Sequence, residues 1–472
     1  MTLSCDSLAP PAPFGPVPST RQLAWHKLEY YAFIHFGMNT FTDREWGDGR
    51  EDPTLFNPTA LDCRQWARVC KQAGMKGIIL TAKHHDGFCL WPSRYTEHSV
   101  KNSPWRDGKG DVLRELAQAC REYGLKMGIY ISPWDRHEPS YGDSPRYNEF
   151  YKNQLREVLT SYGDVFEVWF DGACGEGPNG RRQEYDWPGF FEVVRQCQPK
   201  AVIFSDGGPD VRWVGNENGF ANTTNWCLLR REEVWPGYPR YQELTTGHPD
   251  GTHWVPAEAD VSIRPGWFYH PAEDSQVKSV EELLEIYYAS VGRNAALLLN
   301  IPVDRRGLVP EPDATRLMEF RRALEAEFPR DLAQGAQARA SQVRGNHPRF
   351  AAHRAIDGDP STYWAPDDTV RAVWLEVEFP RPTTVNRLVL QEYIALGQRV
   401  EGFRVDVEAP DGWQKVAEGT TIGYRRILRF PEVTTRRVRL YITKARACPA
   451  ISALGIYRAG SSYGEGCATS KT

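Results

Sequence analysis

Short apolar runs alternate with amphipathic helical stretches from residue 30 to residue 327, and this alternation most constrains how the chain can fold. The apolar runs occupy residues 30–36, 77–82, 126–131, 165–170, 201–204 and 295–301. The helical stretches occupy residues 60–74, 112–123, 148–162, 188–197, 281–291 and 313–327. The runs are apolar almost throughout, which is typical of parallel strands buried on both faces. At least five strand–helix repeats favour a closed (β/α)8-type barrel over an open sheet.

The pattern is interrupted twice along the chain. Residues 220–263 are rich in Trp, Pro, Gly and charge and show no clear period, so we expect the barrel to be irregular at strands six and seven. From about residue 335 the strands become short and alternating, which predicts an antiparallel β-sandwich. The predicted class is α/β, an irregular (β/α)8-type barrel followed by this sandwich. The predicted domains are 1–335, with 1–20 as an extended lead-in, then 336–458, then a tail at 459–472.

Composition excludes several kinds of partner. The net charge is -4 over 472 residues, so no excess of basic residues indicates binding to nucleic acid or to an anionic membrane surface. No apolar run approaches the roughly 18 residues that a membrane-spanning helix needs. The ten cysteines form no C-x-x-C pair, and we expect mostly free, buried thiols. Together with a start that lacks a signal-peptide pattern, this favours a cytoplasmic protein unless a leader has been removed.

Polar and aromatic side chains stand at the ends of four predicted barrel strands. They are His35, His84 and His85, Tyr130, Trp169 and Asp171. Because the carboxyl ends of barrel strands line the active site, we expect these residues to meet in one pocket. Asp171 could serve as a nucleophilic carboxylate with a second carboxyl group as acid/base, or it could merely form an Asp-Gly turn.

Two other kinds of site remain open at this stage. His35, His84, His85 and Asp171 could form the metal site of a barrel hydrolase. Such sites usually take two ligands at i and i+2 of one strand, whereas adjacent His84 and His85 would point apart in a regular strand. A non-catalytic sugar-binding barrel is the second alternative. The 16 tryptophans suit sugar rings, since each offers a flat apolar face and one N–H donor, although they suit a core equally well.

Five motifs in order along residues 20–328 resemble the α-L-fucosidases of glycoside hydrolase family 29. They are F-I-H-F-G at 33–37, E-W at 45–46, K-H-H-D-G-F at 83–88, W-x-D-G at 169–172 and G-W-F-Y-H at 266–270. The resemblance implies a retaining exo-acting enzyme with Asp171 as nucleophile. Residues 212–219 are similar to the branch that acts on α-1,3/1,4-linked fucose, which points to Glu217 as acid/base ahead of Asp206, Asp210 and Glu258.

The resemblance also implies which residues surround the sugar and what the enzyme acts on. The expected substrate-binding residues are His35, Glu45, Trp46, His84, His85, Tyr130, Trp169 and Trp267. The expected substrate is a fucosylated, Lewis-type oligosaccharide or glycan. Catalysis is expected to need no cofactor and no metal.

The C-terminal part resembles the coagulation-factor type C, or discoidin-like, domains found as carbohydrate-binding modules. The motifs are A-I-D-G-D-P-S-T-Y-W at 355–364, W-L-E-V-E-F at 374–379 and A-I-S-A-L-G-I-Y at 450–457. In such domains the D-G-D region can help to hold a structural Ca²⁺. The linker at 330–337 is short and lacks a flexible spacer, so we expect the sandwich to pack on the barrel and brace it.

Overall fold

A computed structural model describes residues 8–460 and shows a closed barrel of eight parallel strands. The strands are β1 (Tyr30–Ile34), β2 (Gly77–Lys83), β3 (Lys126–Ile131), β4 (Glu167–Trp169), β5 (Val202–Ser205), β6 (Val211–Trp213), β7 (Ala257–Ser262) and β8 (Ala295–Asn300). They pair in chain order, and β8 closes the barrel on β1. The predicted barrel is therefore confirmed.

Within residues 8–460, eight α-helices accompany the barrel strands. They are α1 (Thr20–His26), α2 (Met38–Thr42), α3 (Cys63–Gln72), α4 (Val112–Tyr123), α5 (Ser144–Leu159), α6 (Trp187–Cys197), α7 (Val280–Ala289) and α8 (Glu311–Glu327). Their boundaries follow ordinary capping chemistry. The Asp111 side chain accepts the backbone N–H of Arg114 at the start of α4, and Gly124, at φ +64°, ends that helix in the left-handed conformation.

The barrel is irregular between β5 and β7, as expected, but strand six is not where the sequence suggested. It is the three-residue β6, which precedes the stretch 220–263 and follows β5 after only residues 206–210. A three-residue strand containing Arg212 gives no apolar run that a pattern could detect. The long connection from β6 to β7 contains a two-stranded antiparallel hairpin, Leu228–Leu229 with His253–Trp254, and no α-helix.

Short 3-10 helices complete the connections. They are Pro53–Leu55, Val100–Asn102, Trp105–Gly108, Arg231–Glu233, Tyr241–Thr245, Pro271–Gln276, Arg344–Asn346, Pro348–Phe350, Ala352–Ala355 and Ile394–Leu396.

The C-terminal part is an antiparallel β-sheet domain. Its strands are β9 (Gln337–Ala340), β10 (Val373–Glu392), β11 (Val400–Ala409), β12 (Gly412–Gly419), β13 (Arg426–Ala445) and β14 (Ile451–Tyr457). The order is β9-β10-β13-β11-β12, with β14 paired to β10. β10 and β13 each join two runs that the sequence suggested as separate short strands, and register shifts mark the joins.

The sheet domain packs against the barrel beside the starts of β1 and β8. Arg425 forms an ion pair with Glu29, just before β1, at 2.9 Å, and the Asn294 backbone N–H, just before β8, donates to Arg425 O at 2.9 Å. The Gln398 side chain accepts from Cys227 N at 2.7 Å and donates to Asn225 O at 3.0 Å. The domain therefore covers the part of the barrel where helices are missing, at the end opposite to the carboxyl ends of the strands.

Two other expectations concern cysteines and membranes. The eight cysteines between residues 8 and 460 are all free thiols, and six of them are buried. Cys5 and Cys467 lie outside the described residues. Within that same range, no helix is long and apolar enough to cross a membrane.

Candidate active site

The carboxyl ends of the barrel strands bring all ten predicted site residues to one end of the barrel. The ends of β1 to β4 supply six of them, and the segment after β7 supplies Trp267: the six are His35, His84, His85, Tyr130, Trp169 and Asp171. Glu45 and Trp46 come from the connection after β1, and Glu217 comes from the loop after β6. Ring contacts link His35, His84, His85, Tyr130, Trp46 and Trp267 around this end of the barrel.

Asp171 follows β4, and its side chain is about one quarter exposed (28%). Tyr130 OH donates to Asp171 Oδ2 at 3.0 Å, and the backbone N–H of Ala173 donates to Oδ1 at 2.8 Å. These donors fix both carboxylate oxygens. Gly172 is required next to it, because a Cβ there would lie 2.7 Å from Asp206 Oδ2 and 3.0 Å from Gly237 N. The W-x-D-G motif therefore holds a partly exposed carboxylate next to the segments that carry Asp206 and Gly237.

His85 lies beside Asp171, with its Nε2 at 3.7 Å from Asp171 Oδ2. Its Nδ1 is 2.6 Å from Ser132 Oγ, which itself donates to Trp134 O at 2.7 Å. The Ser132 hydroxyl donates its one proton to Trp134 O, so it accepts a hydrogen bond from Nδ1–H of His85. The Nε2 atom of His85 is then an acceptor when the ring is neutral. Burial lowers the pKa of His85 despite the neighbouring Asp171 charge, so the neutral form is favoured.

His35 and His84 are also held in defined tautomers. His35 Nδ1 is 2.7 Å from Asn300 Oδ1, while the amide N–H groups of Asn300 go to Ser262 Oγ and Trp267 O, so His35 donates from Nδ1. Asn39 Nδ2 lies 3.5 Å from His84 Nδ1, which makes that nitrogen an acceptor and Nε2 a donor. Burial lowers the pKa of His35 to about 3 and that of His84 well below its ordinary value. The three histidines therefore offer both acceptors and a donor, without charge.

Glu45 positions the segment that carries Trp267. Its carboxylate accepts the backbone N–H groups of Trp267 at 2.6 Å and Phe268 at 3.1 Å, and it lies 3.4 Å from His270 Nε2. These contacts tie the connection after β1 to the segment after β7 across the mouth of the barrel.

Glu217 lies in the exposed loop after β6, and Trp267 Nε1 donates to its Oε2 at 3.4 Å. Partial removal from water raises the pKa of Glu217, and the negative charges of Asp171 and Glu45 raise it further, against the lowering effect of the Trp267 hydrogen bond. Asp171 is therefore near enough to Glu217 to influence its protonation. On balance the pKa of Glu217 is raised, which favours the protonated carboxyl group.

The two remaining tryptophans are in different surroundings. Trp46 is 59% exposed at the mouth and contacts the rings of His85 and Trp134 edge-on. Trp169 is 7% exposed, and its indole N–H donates to Glu258 Oε1 at 2.7 Å. Trp169 can therefore offer a sugar its ring but not its hydrogen-bond donor.

The competing carboxylates have other surroundings. Asp206 is next to the pocket: its Oδ2 accepts Gly237 N at 2.6 Å, and burial, with the Asp171 charge, raises its pKa to about 6. Asp210 pairs with Arg195 at 2.8 Å and accepts Ile203 N, a structural arrangement. Glu258 is fully buried inside the barrel.

Sequence reasoning missed the residues that orient the histidines. Asn300, Ser132 and Asn39 fix the tautomers described above, and none of them is among the predicted site residues. Asn300 did leave a signal, because it is a polar residue at the end of the apolar run 295–301.

Possible metal ligands were predicted at two places, the histidines of the barrel and the D-G-D turn of the sheet domain. Among residues 8–460, no group of three or more His, Cys, Asp or Glu side chains is placed to hold a metal ion. In the D-G-D turn, Asp357 accepts from Asp359 N at 2.9 Å and Thr362 Oγ1 at 2.8 Å, and Arg354 lies 3.5 Å away. A calcium ion there stays a prediction, and this turn offers no free carboxylate cluster for it.

Comparison with known proteins agrees with this arrangement. Residues 19–326 match the alpha-L-fucosidase family, and residues 337–454 match the F5/8 type C domain family. The chain is 46% identical to Alpha-L-fucosidase 1 of Arabidopsis thaliana over 95% of this chain and 88% of that protein.

Solved structures show the same relationship. The crystal structure of SpGH29 superposes with a TM-score of 0.91 at 43% identity, covering 96% of this chain and all (100%) of that chain. The Ruminococcus gnavus GH29 fucosidase in complex with fucose superposes with a TM-score of 0.89 at 35% identity, covering 96% and 97% of the two chains. The family match spans the whole barrel, and the Arabidopsis protein is 46% identical over 88% of its own length. The chain therefore belongs to the alpha-L-fucosidase family of glycoside hydrolases.

Proposed function

We propose that this alpha-L-fucosidase is a retaining exo-enzyme that removes α-1,3/1,4-linked L-fucose from branched, Lewis-type oligosaccharides or glycans. The observation that carries the proposal is the pairing of two unlike carboxyl groups. Asp171 is fixed by Tyr130 and Ala173 N, and Glu217 lies within reach of its charge with a raised pKa. Such a division between nucleophile and acid is what a double displacement requires.

In the first step the Asp171 carboxylate attacks the anomeric carbon while the bond from that carbon to the aglycone oxygen breaks. Glu217 gives its proton to the departing oxygen, which leaves as an alcohol. In the second step Glu217, now a carboxylate, takes a proton from water as the water oxygen bonds to the anomeric carbon. The bond to Asp171 breaks, and fucose leaves with its original configuration.

The neutral histidines recognise sugar hydroxyls in this account. His35 Nε2 and His85 Nε2 accept from hydroxyl protons, and His84 Nε2–H donates to a hydroxyl oxygen. A site built to pair these hydroxyls rejects sugars that leave the buried nitrogens unpaired. An aromatic ring packing on the C6 methyl adds only about 1–3 kcal/mol of discrimination against galactose.

The stereochemistry is tested by proton NMR of the first-formed sugar during hydrolysis of an aryl α-L-fucoside. We expect α-L-fucose to form first and the β-anomer to follow by mutarotation. Initial β-L-fucose would contradict the retaining mechanism.

The linkage preference rests on the similarity of residues 212–219 to the α-1,3/1,4-specific branch, and it needs a separate test. We expect Lewis-type trisaccharides to be cleaved with higher kcat/KM than 2'-fucosyllactose. Equal or better cleavage of 2'-fucosyllactose would remove the branch assignment while leaving the fucosidase activity intact.

A further inference from the structure

Two carboxyl groups lie inside the barrel below the pocket and take no part in the mechanism above. Glu167 on β4 and Glu258 on β7 are both fully buried (0% exposed). Burying ionisable groups is costly unless donors or a partner compensate, so their presence among apolar and aromatic side chains calls for a physical reason.

Glu258 is held by donors on both of its oxygens. Trp169 Nε1 donates to Oε1 at 2.7 Å, and Tyr31 OH donates to Oε2. Tyr31 OH in turn accepts from Trp25 Nε1 at 2.8 Å. This set of donors suits a carboxylate, because an ionised carboxyl group only accepts hydrogen bonds.

Glu167 is suited to be the neutral member of the pair. Burial and the negative charge of Glu258 raise its pKa well above the ordinary value. Its Oε2 accepts from Trp25 Nε1 at 3.1 Å, and its carboxyl group forms a hydrogen bond with that of Glu258. A neutral Glu167 can donate its proton to Glu258, whereas two carboxylates could not form that hydrogen bond. Burial also raises the pKa of Glu258, but the hydrogen bonds that its carboxyl group receives lower it, so Glu258 is the member of the pair better suited to carry a negative charge.

Trp169 connects this charge to the nucleophile. Its ring lies between Phe204, stacked at 4.1 Å with a 9° tilt, and Tyr130, at 5.5 Å with a 28° tilt. Tyr130 OH donates to Asp171 Oδ2 at 3.0 Å. The hydrogen bond to Glu258 fixes the rotation of the Trp169 indole ring. This ring packs against Tyr130, which orients the Asp171 carboxylate.

We propose that Glu258 is a positioning residue that orients the Asp171 nucleophile through the Trp169 indole N–H and the Tyr130 ring. The inference rests on the proposed function, because it assumes that Asp171 forms the covalent intermediate. Glu258 touches neither the sugar nor the reacting atoms, so its effect is on the geometry of attack, where small displacements cost large factors in rate.

The test measures how fast Asp171 is labelled by 2-deoxy-2-fluoro-α-L-fucosyl fluoride, followed by intact-protein mass spectrometry. Losing a hydrogen bond to a charged group is worth roughly ten- to hundredfold, so Glu258→Leu should slow the labelling rate constant by about tenfold or more. Glu258→Gln, whose amide oxygen can still accept from Trp169, should recover to within about threefold of wild type. Glu167→Gln is the matched control and should label at the wild-type rate, because it leaves the Glu258–Trp169 bond intact.

A double-mutant cycle shows whether the effect passes through the indole N–H. Trp169→Phe should slow labelling by itself, and Glu258→Leu should add nothing to it. A merely structural role would instead lower the fraction of protein that is labelled, or the melting temperature, without changing the rate constant of the labelled fraction.

The outcomes separate this inference from the proposed function. Failure of the wild-type enzyme to be labelled at Asp171 contradicts the proposed function. Wild-type labelling together with an unchanged rate in Glu258→Leu, or additive effects in the cycle, overturns the positioning role. Should Glu258→Leu not fold, Trp169→Phe removes the indole N–H while keeping an aromatic ring, and an unchanged labelling rate in that variant overturns the inference equally.

Discussion

With Glu217 as the proposed acid/base, the pKa of this one residue sets the pH range in which the first step can proceed. Desolvation and the charges of Asp171 and Glu45 raise this pKa, and the Trp267 N–H lowers it by stabilising the carboxylate. Because the acid must carry its proton, kcat/KM falls as pH rises through the pKa of Glu217 in the free enzyme. The high-pH limb of the profile therefore reports on this residue.

Trp267→Phe removes the donor to Glu217 while keeping an aromatic ring. We expect the pKa of Glu217 to rise and the high-pH limb of the kcat/KM profile to move to higher pH, measured with an aryl fucoside. Trp46→Phe is the control, since Trp46 contacts His85 and Trp134 rather than Glu217. A limb that moves to lower pH in Trp267→Phe would contradict the assignment of Glu217.

The three histidines give a prediction for metal removal. Each has one ring nitrogen engaged by a protein side chain, namely Asn300, Asn39 or Ser132, which suits sugar recognition. We therefore expect EDTA to leave turnover of an aryl fucoside unchanged. A loss of activity that Zn²⁺ restores would revive a metal-dependent hydrolase.

At the scale of single elements, the end of β2 shows how a strand can present two adjacent histidines to one pocket. Lys83 is fully buried, and its Nζ donates to Asp135 Oδ2 and Gln154 Oε1, each at 2.9 Å. The register of β2 with β3 shifts between Thr81 and Lys83. The strand is therefore not regular here, and the argument that His84 and His85 point apart does not apply.

Lys83→Met should destabilise the protein by about 3–5 kcal/mol, because it leaves the Asp135 carboxylate buried without its cation. The melting temperature should fall clearly, whereas Lys126→Met, at an exposed lysine at the start of β3, should change it little. Equal melting temperatures for the two variants would show that the buried ion pair does not hold this turn.

The barrel strands differ in how clearly the sequence predicts them. Long apolar runs such as 77–82 and 126–131 were placed correctly, since burial on both faces leaves a clear signal. β6 was missed because it is three residues long and includes Arg212, whose buried guanidinium binds backbone carbonyls such as Leu244 O at 2.9 Å. The motifs predicted which residues form the site, and the fold brings these to one end of the barrel. The tautomers of the histidines depend on Asn300, Asn39 and Ser132, which are brought close only by folding.

At the scale of the whole molecule, the C-terminal sheet domain replaces the helices that the barrel lacks between β5 and β7. Ile394 packs against Trp226, Cys227, Leu228 and Trp254 of the β6–β7 connection. Farther along the interface, Arg387 pairs with Glu327 at the end of α8 at 2.7 Å. Between residues 8 and 460, the interface contacts named above involve none of the ten predicted site residues, so we expect the domain to support the barrel without bordering the predicted sugar-binding residues.

Removal of the residues after Leu332 should therefore lower the melting temperature or the solubility more than it lowers kcat/KM on a small aryl fucoside. The physical reason for the lower stability is that truncation would expose the apolar surface of the β6–β7 connection, which the sheet domain covers. The full chain with Gln398→Leu tests the same interface more gently, because it removes the partners of Cys227 N and Asn225 O. A truncated barrel as stable as the whole chain, with an isolated sheet domain that binds galactosides at micromolar levels, would reverse the assigned role.

Rescue by azide tests in one measurement whether Asp171 is the nucleophile and Glu217 the acid/base. With Asp171→Ala, turnover of an aryl fucoside should nearly vanish, and azide should restore it by attacking the face that Asp171 has left, giving the β-fucosyl azide. With Glu217→Ala, azide should attack the covalent intermediate from the other face and give the α-fucosyl azide. Two β-azides, or near-normal turnover of a substrate with a poor leaving group by Glu217→Ala, would contradict the account.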